Sequence, residues 1–503
     1  MQSIQMRNLF VIFPQKKNMN FLNSARSVIL LIASLLCVAL QVQAQDDHYW
    51  SQQYGAQSTL MGGAMVGGVR DNTAVFYNPG AVGFLTHPSL SVDANVYRMD
   101  RIFIDDGAGI DVNLNSAQIS IFPQIISGMI NLIKSDRFKF SYTLLTRNYN
   151  NVLMNTRYTS HDFQLKKSTV NPSTKSYVGA FDYNNQLNEQ WFGLGVGYKV
   201  NEKLGIGGTL FLSYRAQSYQ LTNYVRDITK MDSAYTFSTA NEDEAMKYKT
   251  FRLIFKLGLS YSTGRWKFGL TLTTPSIGLF GSGDIQRENS LVYLSPNAGD
   301  TSAGFILMDR VTGVKAVYKH PFSIAGGIDY QTEKTRIAIS VEYFFKIKTY
   351  HLFKPDSDPF IYPPSYADTA TIKALIADFL HVENASKPVC NVSIGLSQEL
   401  WKKISLLLGA STDFSSYMSP DESDNLLHSS GTWDLYHLSA GLTYHREKHS
   451  ITLGFSYGFS PSIKIDPYTV INKENESNSN ARVFAQSFSL VIGYTYYFAK
   501  FTD

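Results

Sequence analysis

His449-Ser450-Ile451-Thr452-Leu453-Gly454-Phe455-Ser456-Tyr457-Gly458-Phe459 alternates a large apolar residue with a small or polar one along almost its whole length. Successive side chains of an extended strand point to opposite faces, so Ile451, Leu453, Phe455, Tyr457 and Phe459 share one face and Ser450, Thr452, Gly454, Ser456 and Gly458 the other. A strand that crosses a membrane as part of a β-barrel needs this arrangement, apolar toward lipid and small or polar toward the lumen, over about ten residues. Strands of soluble sandwiches rarely sustain such a face for that length.

Working outward from this stretch, the pattern repeats in 484–498, where Phe484, Phe488, Leu490, Ile492, Tyr494, Tyr496 and Phe498 oppose Ala485, Ser487, Ser489, Val491, Gly493 and Thr495. It also repeats in 203–215, where Leu204, Ile206, Leu210, Leu212 and Tyr214 oppose Lys203, Gly205, Gly207, Thr209 and Arg215. Strand pairs are closed by small polar turns at Asn201-Glu202, Thr263-Gly264, Thr332-Glu333-Lys334, Lys402 and Arg446-Glu447-Lys448, and less cleanly between Pro123 and Asp136. Long loops, 151–186, 220–246, 276–320, 351–388, 415–433 and 460–483, separate the pairs. Short turns on one side and long loops on the other are the pattern of an outer-membrane barrel. Counting alternating segments gives strands near 89–104, 114–122, 137–150, 187–200, 203–219, 247–262, 265–275, 321–331, 335–350, 389–400, 403–414, 434–446, 449–459 and 484–498. The expected fold is therefore all-β, a transmembrane antiparallel barrel of about 14 strands with both chain ends on the periplasmic side. Segment 304–318 reads either as an extra strand pair or as part of an extended loop.

Three domains are expected: a signal peptide at 1–44, an N-terminal hatch at 45–88 and the barrel at 89–503. Lys16, Lys17 and Arg26 precede the apolar run Val28–Leu40, and Val42-Gln43-Ala44 fits a cleavage site. The run is too short to span a bilayer. Four of the 45 basic residues and none of the 41 acidic ones fall in 1–44, leaving 41 of each, so no basic surface for nucleic acid is implied. One cysteine, Cys390, follows the signal, which gives no disulfide and no cysteine metal site. The 31 Tyr and 32 Phe suit the aromatic girdles of a membrane interface. Outer-membrane lipid, lipopolysaccharide and the barrel assembly machinery are the expected partners; that machinery commonly reads an aromatic last residue, and this sequence departs from the pattern with Phe501 followed by Thr502-Asp503, so a tolerant system or the use of Phe498 is expected.

Residues 45–88 do not alternate and are rich in turn formers, and a barrel this wide has a lumen that side chains alone do not fill. A plug is expected. The stretch Met61 to Gly80, with Phe76-Tyr77-Asn78-Pro79-Gly80 at its end, resembles the N-terminal hatch of the outer-membrane long-chain fatty acid transporter family, the FadL/TodX group. In that family a Gly- and Ala-rich segment leads to a Phe-Tyr-Asn-Pro-Ala-Gly box; here Gly80 follows Pro79 directly and Ala81 comes next. The resemblance extends more loosely to Leu257-Gly258-Leu259-Ser260-Tyr261, Thr274-Pro275-Ser276 and 321–349. It implies a fourteen-strand barrel in the outer membrane of a Gram-negative bacterium, passing a hydrophobic small molecule by diffusion, with Phe76 to Gly80 in a gating role. Asn78 and Pro79 also make a turn on purely local grounds.

Projection of the strands places Asp93, Arg147, Arg215, Arg252, Lys256, Asp329, Arg336, Glu342 and Lys346 on the lumen side. Arg147, Arg215 and Arg252, at similar heights, form either an anion-binding patch or part of a structural network with lumenal acids. Ile372–Leu380 reads as a short amphipathic helix that would help the loops gather apolar solutes. Gly454-Phe455-Ser456-Tyr457-Gly458 matches G-x-S-x-G, yet it lies within a strand rather than at a strand-to-helix turn, so no nucleophile is expected. No acid pair, triad or metal-ligand spacing emerges, and neither an enzyme nor a cofactor is expected. The alternative function is an outer-membrane barrel partner of a protein secretion or surface-attachment system.

Overall fold

The computed structural model describes residues 48–86, 88–109, 111–130, 135–160, 177–231, 234–294, 304–356, 358–362, 369–418, 431, 433–465 and 481–498. The signal segment and Phe501 lie outside them. Three short helices come first: α1 (Ala56–Leu60), α2 (Ala74–Tyr77) and α3 (Pro79–Val82). They are followed by β1 (Ser89–Asp105), β2 (Leu114–Ile130), β3 (Phe138–Ser160), β4 (Tyr177–Lys199), β5 (Leu204–Met231), β6 (Ala234–Thr263) and β7 (Trp266–Thr273). Next come β8 (Ile277–Leu294), β9 (Phe305–Lys315), β10 (Ser323–Gln331), β11 (Thr335–Phe344), β12 (Ile347–Phe353) and β13 (Phe360–Tyr362). The chain continues with α4 (Thr369–Ala377), β14 (Val382–Ser386), β15 (Val389–Trp401), β16 (Ile404–Asp413), β17 (Leu435–Arg446), β18 (His449–Phe459), β19 (Ile463–Ile465) and β20 (Ala481–Tyr497).

Antiparallel ladders run in chain order from β1 to β7, pass to β10, β11, β15, β16, β17, β18 and β20, and return to β1. The closing ladder extends from Ser89↔Tyr497 to Asp105↔Arg482. The result is a closed barrel of 14 strands, as the alternation predicts. Closure leaves no unpaired sheet edge, which is what lets strands cross a bilayer. No helix among the described residues is long and apolar enough to cross a membrane. Lipid-facing positions such as Leu194, Leu210, Leu257, Leu270, Ile394, Leu438, Leu453 and Phe488 stay exposed around the circumference.

The long loops are where the sequence reading and the structure part. Segments 151–186 and 220–246, expected as loops, hold long continuations of β3 to β6, and β5 and β6 reach 28 and 30 residues. Segment 276–320 contains β8, which pairs with the upper part of β6 from Leu253↔Ile277 to Phe237↔Leu294, and β9, which pairs with β8. Segment 304–318 is thus largely a strand, and 351–388 contains α4 and a two-stranded β12–β14 sheet. The reason is physical. Above the lipid belt the strands keep their period of two but reverse its phase: Phe181, Tyr183, Tyr219, Leu221, Met246 and Tyr248 are buried, whereas outward Asp182, Gln220 and Lys247 are exposed. A search for apolar residues facing lipid stops at that reversal.

Candidate functional site

The interior is best followed along β5, whose inward residues form a column from the turn side to the loop side. Gly205, Gly207 and Thr209 come first, then Phe211 and Ser213, then Arg215 and Gln217, and finally Tyr219, Leu221 and Val225. Each step faces a different layer.

At the bottom, residues 48–85 lie against the inward face of the strands. Asn78 is fully buried and organises them. Its Oδ1 accepts a bond from Gly80 N (3.1 Å), capping α3, and Pro79 occupies the first helical position, where its missing N–H costs nothing. Its Nδ2 donates to Val66 O (2.9 Å) and to Leu259 O on β6 (3.0 Å), joining two hatch segments to the wall. The backbone comes close enough that the facing strand positions have no room for a Cβ. One built on Gly207 would meet Pro79 O at 2.2 Å, one on Gly258 would meet Asn78 Oδ1 at 2.4 Å, and one on Gly327 would meet Gly67 N at 2.4 Å. Gly197↔Gly207↔Gly258 and Gly395↔Gly409 are cross-strand neighbours, so the small-residue band is continuous from strand to strand where the hatch rests. Phe76 and Tyr77 project upward from this base. Phe76 packs on Tyr54 (4.4 Å), Trp191 and Phe211, with Lys256 Nζ 4.5 Å above its ring. The Tyr77 hydroxyl accepts from Tyr54 N (2.9 Å) and donates to Gln53 (3.0 Å).

Above the hatch lies a polar waist. Arg215 and Arg252 converge on Glu189 of β4, at 3.0 and 2.6 Å. Glu189 also accepts from Trp191 Nε1 (2.6 Å) and Ser213 Oγ (3.0 Å), and Tyr318 lies over both guanidiniums. Arg147 stands apart, donating to Tyr49 O (2.8 Å) and the Tyr54 hydroxyl (3.1 Å) and stacking on Trp191. Two of the three arginines proposed for an anion site thus meet on one acid, in the structural network weighed against it. Arg147 instead borders a separate cavity with Lys256, His320, Glu342, Trp191 and Phe344. That cavity measures about 30 Å³, room for a water or two and not for an acyl chain. No described carboxylate lies within ion-pair distance of Arg147 or Lys256. Glu189 was missed in the sequence, although its parity with inward Trp191, Gly193 and Gly195 was there to be read.

The other projected charges divide. Asp93 accepts from Ala56 N (3.0 Å), Asp329 pairs with Arg336 (2.5 Å), and Glu342 accepts from Trp50 Nε1 (2.9 Å), all toward the interior. Lys346, expected in the lumen, is exposed on the outside instead, because β11 ends at Phe344 and the strand parity does not carry past it.

At the top, inward residues of the strand extensions and the loop residues Leu352, Phe353, Phe379, Leu380, Val382 and Trp433 form one buried apolar cluster. The helix expected over 372–380 lies three residues earlier, as α4, and ends at Ala377; Ile376 on it and Phe379 and Leu380 in the turn after it reach the cluster. Among the described residues no group of three or more His, Cys, Asp or Glu could hold a metal ion.

A closed 14-strand barrel with an exposed apolar belt defines the class: an outer-membrane-type β-barrel. Within that class the fold is that of the FadL/TodX group. A Pseudomonas aeruginosa FadL homologue superposes with a TM-score of 0.55 at 11% identity, covering 90% of this chain and 100% of that one. The P. putida toluene transporter TodX gives 0.53 at 16%, covering 89% and 99%. A TodX variant described as a monoaromatic hydrocarbon channel gives 0.55 at 16%, covering 88% and 99%. No family model and no curated protein matches the sequence. These likenesses lie in the barrel fold and run over about nine tenths of the chain.

Proposed function

We infer that this chain is a channel for passive uptake of hydrophobic small molecules across the outer membrane of a Gram-negative bacterium, with long-chain fatty acids among its candidate solutes and residues 45–88 as its gate. The observation that carries the reading is the upper lumen. A water-filled porin lines its interior with polar groups, whereas here Phe181, Tyr219, Tyr248, Phe353 and Phe379 meet in an apolar interior beneath the loops. An entering apolar solute replaces side-chain contacts of its own kind. At the waist Arg147 and Lys256 are cations without a described acid partner, and they meet an acidic head group only once the side chains around the small cavity there, Phe76 and Trp191 among them, move apart to admit it. Release to the periplasm then requires the Asn78 contacts to the wall to yield, without covalent chemistry.

A second reading, a barrel partner in protein secretion or surface attachment, is favoured by the packed upper cluster and the long β5–β6 hairpin, which present a surface more than an entrance. One experiment separates the two. Cells making the folded barrel and cells lacking it are given labelled fatty acids and monoaromatic compounds. Uptake above the barrel-less level for at least one compound is the expected result, and none for any compound shifts the assignment to the second reading. Export ahead of this step removes residues 1–44, and N-terminal sequencing of the membrane-extracted protein is expected to begin near Gln45.

A further inference from the structure

The barrel wall contains a notch that runs from exposed Phe280 and Phe345 inward to buried Arg252 and His320. The β7–β10 ladder stops at Thr273↔Ser323, and the β8–β9 ladder above it begins at Ser282↔Lys315. Between them the chain is joined by Ser276 N donating to His320 O (3.2 Å) and His320 N donating to Ser276 Oγ (2.8 Å). β11 ends nearby at Phe344, and the space left measures about 570 Å³. Lys315, Lys319, Lys346 and Lys348 line it, all exposed, and no acidic residue does. None of the four pairs with a described carboxylate; Lys319 lies 4.6 Å over the Tyr350 ring. The same notch carries Phe280, 64% exposed, and Phe345, 40% exposed. It opens at the height where the outward face changes from the apolar belt to polar residues.

We propose that this notch binds a phosphorylated glycolipid of the outer leaflet, of the lipid A kind. Four unneutralised ammonium groups at the edge of a lipid belt match phosphate on a membrane-held head group, and Phe280 and Phe345 supply apolar surface for its acyl chains. A lysine stem lies along such a chain while its charge stays in the head-group layer.

The test is native mass spectrometry of the folded full-length barrel in neutral detergent, incubated with bis-phosphorylated lipid A, dephosphorylated lipid A or phosphatidylglycerol, with inorganic phosphate as competitor. Bis-phosphorylated lipid A should be retained at least tenfold more tightly than the other two lipids, and phosphate at equal concentration should not displace it. The combined Lys315→Gln, Lys319→Gln, Lys346→Gln and Lys348→Gln variant should lose that preference. Lys402→Gln with Lys403→Gln, exposed at the β15–β16 turn and outside the notch lining, should keep it. Heat-dependent gel mobility reports that each variant is folded. Equal retention by the four-lysine variant, equal retention of dephosphorylated lipid A or phosphatidylglycerol, or full displacement by phosphate would each overturn the assignment. All of these outcomes are read without an uptake measurement.

Discussion

Below about Tyr214, the outward residues of β5 are Ile206, Leu210 and Leu212 and the inward ones Gly205, Gly207 and Thr209; above it, the outward residues include Gln220 and the inward ones are Tyr219, Leu221 and Val225. β6 changes in the same way, from exposed Leu257 and Leu259 to exposed Lys247 and Lys249 over buried Met246 and Tyr248. One continuous strand thus serves two opposite solvents. Where lipid covers the outside, the apolar side chains face out and the interior is filled by hatch backbone against small residues. Where water covers the outside, the barrel adopts the logic of a soluble protein and packs its own apolar core. The Glu189–Arg215–Arg252 network sits at the change of phase, where neither core reaches.

That boundary is where the largest effect is expected. Glu189→Gln leaves two buried guanidiniums without their acid, and removing one partner of such a group costs about 3–5 kcal/mol. Unfolding in lipid vesicles by denaturant should show a loss of this size, and a much smaller one would mean that water reaches the waist and the two cores are less separate than drawn.

The inversion itself is tested on one face of one strand. Leu210→Arg places a cation in the lipid belt and should cost about 2–4 kcal/mol. Gln220→Arg, outward on the same strand but in the upper wall, should stay within about 0.5 kcal/mol. Equal losses in the same vesicle measurement would put lipid along the whole strand and end the comparison.

How far the sequence revealed these two regions follows from what each asks of a residue pattern. The lower wall was legible because lipid imposes one rule on every strand, apolar outward, which Ile451 to Phe459 and Phe484 to Phe498 obey visibly. The upper wall obeys a different rule, and Phe181, Tyr183, Tyr219 and Leu221 read as loop because their phase is wrong for lipid. The turn at Asn78-Pro79 was legible in Phe76 to Gly80, since Asn before Pro caps and starts a helical turn on local grounds. Which strand positions receive it was not, because an inward glycine looks the same whether it faces water or another backbone. Of the arginines, height was readable but partnership was not, since pairing Arg215 and Arg252 with Glu189 requires the register of three strands.

The glycine band gives a sharper version of the same contrast. Gly207→Ala drives a Cβ into Pro79 O, and overpacking against backbone costs about 1–3 kcal/mol. Gly326, a lumen-independent position with nothing within 4 Å of its would-be Cβ, should accept alanine with little change. If both substitutions are equally mild by denaturant unfolding, the hatch rests less closely on β5 than described.

The smallest expected stability effect carries the most functional information. Asn78→Ala removes the cap on Gly80 N and both Nδ2 bonds, one within the hatch and one to Leu259 O on the wall. Loss of an N-cap alone costs about 0.5–2 kcal/mol, and most of the interior contacts of Phe76 and Tyr77 remain. The barrel should therefore still fold, while its hatch is tied less firmly to β6. If residues 45–88 gate the lumen, uptake of an apolar solute per folded barrel should rise relative to the parent, because the closed arrangement has lost the side chain that joins Val66, Gly80 and the wall. The measurement is labelled-solute uptake normalised to the heat-modifiable folded band. Lower stability with unchanged uptake would leave Asn78 as a fastening for the lower core and move the gate to the packed upper cluster, where Phe353 and Phe379 close the other end.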